Sequence, residues 1–233
     1  MKKILLTALL MTTAFNVNAG GKEDDPLLMK VMIDQLETRI TNGSNPTVLE
    51  AQAWIGKDLN KFWIKADVER VDGETEEAEL QFLYSKAIAP YWDFQIGWRH
   101  DEQPTPRQDW LAIGFQGIAP YFYEIDTAAF IAEDGQVNLR LKAEYEMMFT
   151  QKLVLTPEVT FDFHAKDDAS RDIGSGLSSS EIGLRLRYEV TREFAPYVGV
   201  NWTNKYGKTG DFAAAAGEDE NDTQFVVGVR SWF

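Results

Sequence analysis

The sequence predicts an all-β protein, a transmembrane antiparallel up-and-down β-barrel of about twelve strands. Three observations lead to this prediction. The chain ends on an alternating aromatic strand, Phe225–Phe233. From Leu27 onward, apolar and polar residues alternate in segments of about ten residues, and short turns between these segments alternate with longer polar loops. Barrels that cross an outer membrane combine these features.

The last strand carries Phe225, Val227 and Phe233 on one face and residues such as Arg230 on the other. An apolar strand left at an open sheet edge promotes aggregation. A closed barrel removes that edge by pairing its last strand with its first. We therefore expect the last strand to pair with residues 28–40.

The N-terminus predicts export. Lys2 and Lys3 precede an apolar stretch, and Val17-Asn18-Ala19 ends on a small residue before Gly20. This is the pattern of a secretory signal peptide, and the apolar stretch is too short for a membrane anchor. Residues 1–19 are predicted to be a cleaved signal peptide, residues 20–26 a short, polar, disordered lead, and residues 27–233 the barrel.

Composition excludes several protein classes. The chain has a formal net charge of −14 and contains no cysteine. Such an acidic surface repels nucleic acid, and a chain without thiols forms neither disulfides nor thiolate metal sites. No stretch after the signal is apolar over 18 residues, which excludes a helical membrane protein. An exported chain of this kind is either a soluble periplasmic β-protein or an outer-membrane barrel.

Twelve strands are predicted from the positions of the turns, and an even number places both chain ends on the periplasmic side. The short turns include Ala-Pro-Tyr at 89–91, 119–121 and 195–197. The predicted strands are 28–40, 48–56, 61–70, 76–86, 91–101, 108–117, 121–131, 137–149, 153–163, 179–190, 196–206 and 222–233.

A soluble sandwich shows the same alternation, so periodicity does not distinguish it from a membrane barrel. Two other features favour the barrel. Aromatic residues lie beside the predicted short turns, as in the girdle at a membrane interface; they are Phe62, Trp63, Tyr91, Trp92, Tyr121, Phe122, Tyr123, Phe149, Tyr197, Trp232 and Phe233. The polar face also carries charges of both signs, which can pair inside a narrow lumen.

Metal-ligand candidates are few. His100 ends strand 5 and falls on the outer side by parity, whereas His164 follows strand 9 and falls on the lumen side. Neutral imidazole binds copper, zinc or nickel, although a hydrogen bond to a neighbouring aspartate is the simpler explanation for each histidine. Met148 is predicted to point inward beside Glu144 and Glu146, and its thioether suits Cu(I).

The sequence does not predict an enzyme. No serine lies where it would pair with either histidine as a nucleophile on the barrel wall. Acids two residues apart on an inner face are usually solvated or paired with arginine. Gly174-Ser175-Gly176 lies in a polar loop with no predicted helix after it, unlike a phosphate-binding loop.

Several strings in one order resemble the copper resistance protein B family of outer-membrane proteins, and the resemblance covers nearly all of the chain after the signal. The strings are Gly97-Trp98-Arg99-His100-Asp101, Gly117-Ile118-Ala119-Pro120-Tyr121-Phe122-Tyr123-Glu124, Gly174-Ser175-Gly176-Leu177, Gly183-Leu184-Arg185-Leu186-Arg187-Tyr188-Glu189, Arg192-Glu193-Phe194-Ala195-Pro196-Tyr197-Val198-Gly199-Val200 and Trp232-Phe233. The resemblance implies copper tolerance at the outer membrane through binding, sequestering or passing copper ions. It also implies a periplasmic multicopper oxidase as a partner, besides outer-membrane lipid.

Members of that family often carry an N-terminal extension rich in Met and His, where this sequence has only residues 20–26. We therefore expect any copper site on the barrel itself, with His100 and Asp101 from the matching strand motif, His164, and Met148 as the inward thioether. The alternative function is a passive pore for cations or small solutes, or a structural barrel whose lumen is closed by pairs between arginine and carboxylates.

Overall fold

The computed structural model describes residues 25–233, so the predicted signal peptide and most of the predicted lead lie outside the described residues. The strands are β1 (Leu28–Ile40), β2 (Thr47–Lys57), β3 (Asn60–Val71), β4 (Glu74–Ala89), β5 (Trp92–Gln103), β6 (Gln108–Ala119), β7 (Tyr123–Ala132), β8 (Val137–Glu144), β9 (Met147–Met148), β10 (Leu153–His164), β11 (Gly176–Tyr188), β12 (Phe194–Lys205) and β13 (Asn221–Trp232). A 3-10 turn (Pro120–Phe122) precedes β7, and a helix α1 (Gly207–Ala216) precedes β13.

The strands form one closed antiparallel barrel, which confirms the predicted fold class. Each strand pairs with its neighbours in the chain, and β8 and β9 are two halves of one barrel strand beside β10, so the barrel has twelve strands. Within the described range, no helix is long and apolar enough to span a membrane. We call the end of the barrel that holds both β1's start and β13's end the terminal end, and the opposite end the loop end.

The last strand closes the barrel against the first, as predicted. Phe225 lies opposite Ile40, and Val229 lies opposite Leu36. At the terminal end, the N–H of Phe233 donates to the carbonyl of Val31 at 2.8 Å, and the N–H of Val31 donates back at 3.0 Å. These hydrogen bonds satisfy the backbone groups that an open edge would leave unpaired in lipid.

The predicted strand 137–149 is interrupted at residues 145–146. The N–H of Tyr145 donates to the carbonyl of Pro157 on β10 at 3.1 Å. Proline has no N–H to return, so the ladder loses a hydrogen bond at this point and the strand divides.

Between the predicted strands 196–206 and 222–233, the alternation of short turns and longer polar loops predicts a loop, but this segment contains α1. The alanine run Ala213–Ala216 favours a helix. Gly217 ends this helix: its φ is 85°, and its N–H donates to the carbonyls of Ala213 and Ala214. The third Ala-Pro-Tyr string was also assigned wrongly, because it lies inside β12 and not in a turn. Its tyrosine, Tyr197, is buried.

Alternation along the strands separates an apolar outer face from a mainly polar inner face. Exposed side chains such as Phe82, Ile96 and Leu111 form the outer face. Two residues of the predicted girdle, Trp63 and Tyr197, are instead buried inside the barrel. The inner face of β3 to β7 carries an apolar cluster, formed by Trp63, Leu83, Trp110, Ala112, Phe130 and Ala132.

Candidate functional site

Ion pairs cross the lumen and join opposite walls of the barrel. Lys142 on β8 lies 2.7 Å from Glu50 on β2, six strands away around a twelve-strand sheet. Lys142 also contacts Glu158 on β10 at 3.2 Å. Lys65 on β3 contacts Asp126 on β7 at 2.6 Å. These pairs obstruct the lumen and hold facing walls together.

Arg185 on β11 is the centre of a buried network. Its Nε and Nη2 atoms donate to both oxygens of Glu37 on β1, each at 2.9 Å, and Nη2 also donates to Gln35 at 2.8 Å. The Glu37 side chain is 0% exposed and also accepts from Arg39 at 2.8 Å and from the Tyr197 hydroxyl at 2.9 Å. This carboxylate is therefore fully supplied with donors.

A carboxylate-rich patch on β3 and β4 has no such partners. We call Asp67, Glu69 and Glu77 the acid patch. Glu69 lies directly opposite Glu77, and Asp67 lies opposite both Glu50 and Glu79 on its two neighbouring strands. None of the three acid-patch side chains forms an ion pair with any other residue between 25 and 233. Like charges facing each other across strands repel, and a cation between them relieves that repulsion.

His100 lies on the outer face near the loop end. Its ring stacks on Trp98 with 5.4 Å between centroids, Nδ1 lies 2.7 Å from Asp109 Oδ1, and Nε2 lies 3.4 Å from Glu102 Oε2. His100 thus lies on the outer side, as predicted from parity. It is also bonded to a nearby aspartate, as in the alternative explanation for this histidine.

Asp101 follows His100 directly but points into the lumen, where it is 1% exposed. Arg99 donates to both of its oxygens, at 2.7 and 3.1 Å. Trp110 Nε1 and Arg171 Nη2 donate to Oδ2 at 2.9 and 2.7 Å. Consecutive strand residues point to opposite faces, so His100 and Asp101 do not bind one ion together.

His164 lies on the inner face at the loop end, with Nδ1 2.9 Å from Ser178 Oγ. It faces Asn138 in register, and Asn138 accepts a hydrogen bond from Arg99 at 3.2 Å. His164 and Asp101 therefore belong to the same region of the lumen, but the Arg99 guanidinium lies between their networks and binds Asp101.

Met148 lies at the opposite end of the barrel. It pairs with Val154 near the start of β10, whereas His164 ends the same strand, a separation of roughly 33 Å at 3.3 Å per residue. Register puts Met148 on the inner face, but it is 65% exposed at the rim. In the described part of the chain, no group of three or more His, Asp or Glu side chains is arranged to hold a metal ion.

Sequence reasoning missed Arg171, which enters the lumen from a loop without strand periodicity. It also missed the partners of the inward charges, since parity indicates a face and not which residue lies across the barrel.

Arg99 also lies against the apolar cluster, with its guanidinium carbon 4.4 Å from the centre of the Phe130 ring.

The model of one protein family, described as copper resistance protein B precursor, matches residues 27–233. Copper resistance protein B of Escherichia coli is 41% identical over 218 residues, which cover 94% of this chain and 74% of that protein. A copper resistance protein B homolog of Pseudomonas syringae pv. tomato (strain ATCC BAA-871 / DC3000) is 43% identical over 220 residues, covering 94% of this chain and 75% of that protein.

Solved outer-membrane barrels have the same fold. The NanC porin superposes with a TM-score of 0.58 at 10% identity, covering 88% of this chain and 99% of that chain. The KdgM porin gives a TM-score of 0.54 at 12% identity, with coverage of 88% and 99%. Outer membrane phospholipase A from Escherichia coli gives 0.51 at 13% identity, with coverage of 87% and 92%. At these identities the similarity concerns the fold alone.

Proposed function

This chain belongs to the copper resistance protein B family and is an outer-membrane barrel, and on that premise we propose that it attracts copper cations into its lumen and binds, sequesters or passes them there. The observation that carries this proposal is the acid patch. A low-dielectric wall concentrates the field of its charges and raises the local concentration of counter-ions.

The proposed mechanism is electrostatic attraction followed by exchange among weak ligands. Asp67, Glu69 and Glu77 supply carboxylates that form no ion pair among the described residues, and His164 supplies an imidazole on the inner face at the loop end. Neutral imidazole is a good copper ligand. Copper is the cargo in this proposal, and the chain acts on it without enzymatic chemistry.

The predicted copper ligands belong to separate places in this proposal. His100 with Asp109 and Glu102 would bind copper at the outer rim, while His164 would bind it inside the lumen. Met148, at the terminal end, would be the last thioether that a departing Cu(I) ion meets before a periplasmic multicopper oxidase. Asp101 would act through Arg99 by orienting the network around His164.

The test of the acid patch is the triple variant Asp67→Asn, Glu69→Gln, Glu77→Gln. We expect copper retained by the refolded barrel, measured by inductively coupled plasma mass spectrometry, to require about tenfold more copper for half saturation, because field focusing of this kind changes local cation concentration by 10- to 10³-fold. A strain that produces the triple variant should tolerate less copper than one that produces the parent chain.

A matched control removes the same charge from exposed positions at the loop end. The variant Glu74→Gln, Glu133→Gln, Asp219→Asn changes three exposed acids. Copper retention that falls equally in both triple variants would attribute the effect to net charge and contradict a role for the lumen.

The histidine ligands have a separate test. Calorimetry on the refolded His100→Ala, His164→Ala double variant should show weaker copper binding than the parent chain, and the two single variants should assign the loss to the outer rim or the lumen. Unchanged binding in the double variant would remove both histidines from the proposal.

The alternative function is that of a passive pore or of a structural barrel. Of these two, the ion pairs that cross the lumen favour a structural barrel with a closed lumen. Lys142 joins β8 to β2 and Arg185 joins β11 to β1. Planar-bilayer recordings distinguish the two functions. Steady cation-selective current that copper does not change would support the pore, whereas copper bound without current would support the binding protein.

A further inference from the structure

We propose that the loop between β10 and β11, residues 165–175, is a movable plug that closes the loop-end mouth of the lumen, and that the ion pair between Arg171 and Asp101 is its latch. This inference concerns access to the lumen and does not depend on the identity of the cargo.

The plug folds across the mouth of the barrel. The Arg171 side chain is 3% exposed, and its Nη2 lies 2.7 Å from Asp101 Oδ2 on β5. Its guanidinium carbon lies 5.9 Å from the centre of the Trp110 ring on β6. The plug begins at β10, which β6, β7 and β8 separate from β5 around the sheet. The contact therefore spans about a third of the barrel wall and is not a local loop interaction.

Asp101, the carboxylate that Arg171 binds, is held in place by residues outside the plug. Arg99 holds both oxygens of Asp101, and the Trp110 indole N–H binds Oδ2 at 2.9 Å. These groups keep the carboxylate oriented toward the mouth whether or not Arg171 is in place. A fixed carboxylate lowers the entropy lost when the arginine docks.

The tip of the plug is a compact unit. The N–H of Asp168 donates to the carbonyl of Ile173 at 2.7 Å, and the reverse bond measures 3.0 Å. The Asp168 side chain accepts from Ser170 N–H at 3.0 Å. Arg171 lies between the two bridged residues, so this small hairpin presents it as a rigid unit that can move without losing internal bonds.

The base of the plug is tied to α1. The N–H of Gly174 donates to Thr209 Oγ1 at 2.8 Å, and Lys208 forms an ion pair with Asp167. Hydrogen bonds from Lys208 and from the Ser175 N–H lower the pKa of Asp167 to about 2, and the hydrogen bond to Asp167 raises the pKa of Lys208, so both partners are charged at neutral pH. A Cβ at Gly174 would lie 2.7 Å from the Thr209 nitrogen, so the loop packs directly on the helix.

Closure leaves polar atoms without partners. Arg171 Nε and Gln136 Oε1 are buried, and neither has a hydrogen-bond partner among residues 25–233. Gln136 contacts the plug through Nε2, which donates to the Asp167 carbonyl at 3.3 Å. A buried donor and acceptor that lack partners favour opening, where water satisfies both. Gly176, with φ of +89° where β11 begins, permits a change of backbone direction at the base of the plug.

The test uses the absence of cysteine in the chain. Ala132 is buried on the inner face beside Trp110, so a cysteine introduced by Ala132→Cys lies beneath the plug. In the barrel reconstituted in lipid vesicles, a charged methanethiosulfonate reagent should label this cysteine slowly. Adding Arg171→Ala should raise the labelling rate on the order of tenfold to a hundredfold, the effect of losing a charge-assisted hydrogen bond.

The matched control is Lys166→Ala, which removes the same charge from an exposed position on the same loop. Labelling that is no faster with Arg171→Ala than with the control would overturn the proposal. If Arg171→Ala does not fold, as judged by heat-dependent gel mobility, Lys208→Ala replaces it. Lys208 is 61% exposed, and its loss releases the base of the plug. We expect a smaller rise in labelling, and a rate equal to the control would again overturn the latch.

The thiol probe contains no copper, so the labelling experiment tests the plug alone and the copper measurements test the proposed function alone. A faster labelling rate with unchanged copper retention would support the plug and leave the proposed function to its own tests.

Discussion

Replacing Arg185 by methionine should lower the free energy of unfolding by about 3–5 kcal/mol, the cost of removing one partner from a buried ion pair. The variant leaves Glu37 buried in the barrel with Arg39 as its only cationic partner in the described chain, and it leaves Gln35 without a donor. Methionine has a similar length and packs well, so the loss measures the charge and not a cavity. Urea unfolding of the refolded barrel, followed by tryptophan fluorescence, measures it.

Arg107→Met is the control, because Arg107 pairs with Glu102 at the surface and is 66% exposed. Exposed pairs contribute about 0–1 kcal/mol. Equal losses in the two variants would contradict the network's structural role. Adding Glu37→Gln to Arg185→Met should recover part of the stability, since the double variant no longer buries an undercompensated carboxylate.

Gly97→Ala should destabilise the barrel by about 1–3 kcal/mol or more, in the range of overpacked sites. A Cβ at Gly97 would lie 2.0 Å from the carbonyl oxygen of Phe82 and 2.8 Å from Leu83 Cα, both backbone atoms of β4. Gly97 and Leu83 face each other in register, so β4 and β5 must separate to admit the methyl group. We expect a smaller folded fraction after refolding, measured by heat-dependent gel mobility.

The control for this effect is Gly43→Ala in the loop after β1. The nearest atom to its added Cβ is Thr41 Oγ1 at 3.9 Å, which is ordinary contact, and its φ is not in the left-handed region. Folding of Gly97→Ala at the yield of Gly43→Ala would show that β4 and β5 adjust to the methyl group at little cost.

Much of the fold was predictable because strand structure is local. Alternation at period two separated lipid-facing residues such as Ile96 from lumen residues such as Arg99, and the terminal strand correctly predicted closure against β1. The errors have local causes as well. Pro157 divides the eighth barrel strand, and the alanine run before Gly217 forms a helix whose signal was present in the sequence.

The candidate site was less predictable. His100 and Asp101 match a family motif as neighbours in sequence, yet strand geometry sends one outward and the other inward. Met148 has inward parity but lies at the other end of the barrel from His164. Parity places a side chain on a face and carries no information about depth along the barrel axis or about neighbours from distant strands.

By itself, the sequence determined the barrel class, the number of strands, the inner and outer faces and, through family resemblance, the connection with copper. These properties depend on side-chain alternation and on strings of adjacent residues. Only the tertiary structure decided that Lys142 meets Glu50, that Arg185 binds Glu37, and that Asp67 forms no ion pair within the described residues. Such partners depend on the curvature and register of the closed sheet, which bring residues together that lie far apart in the chain.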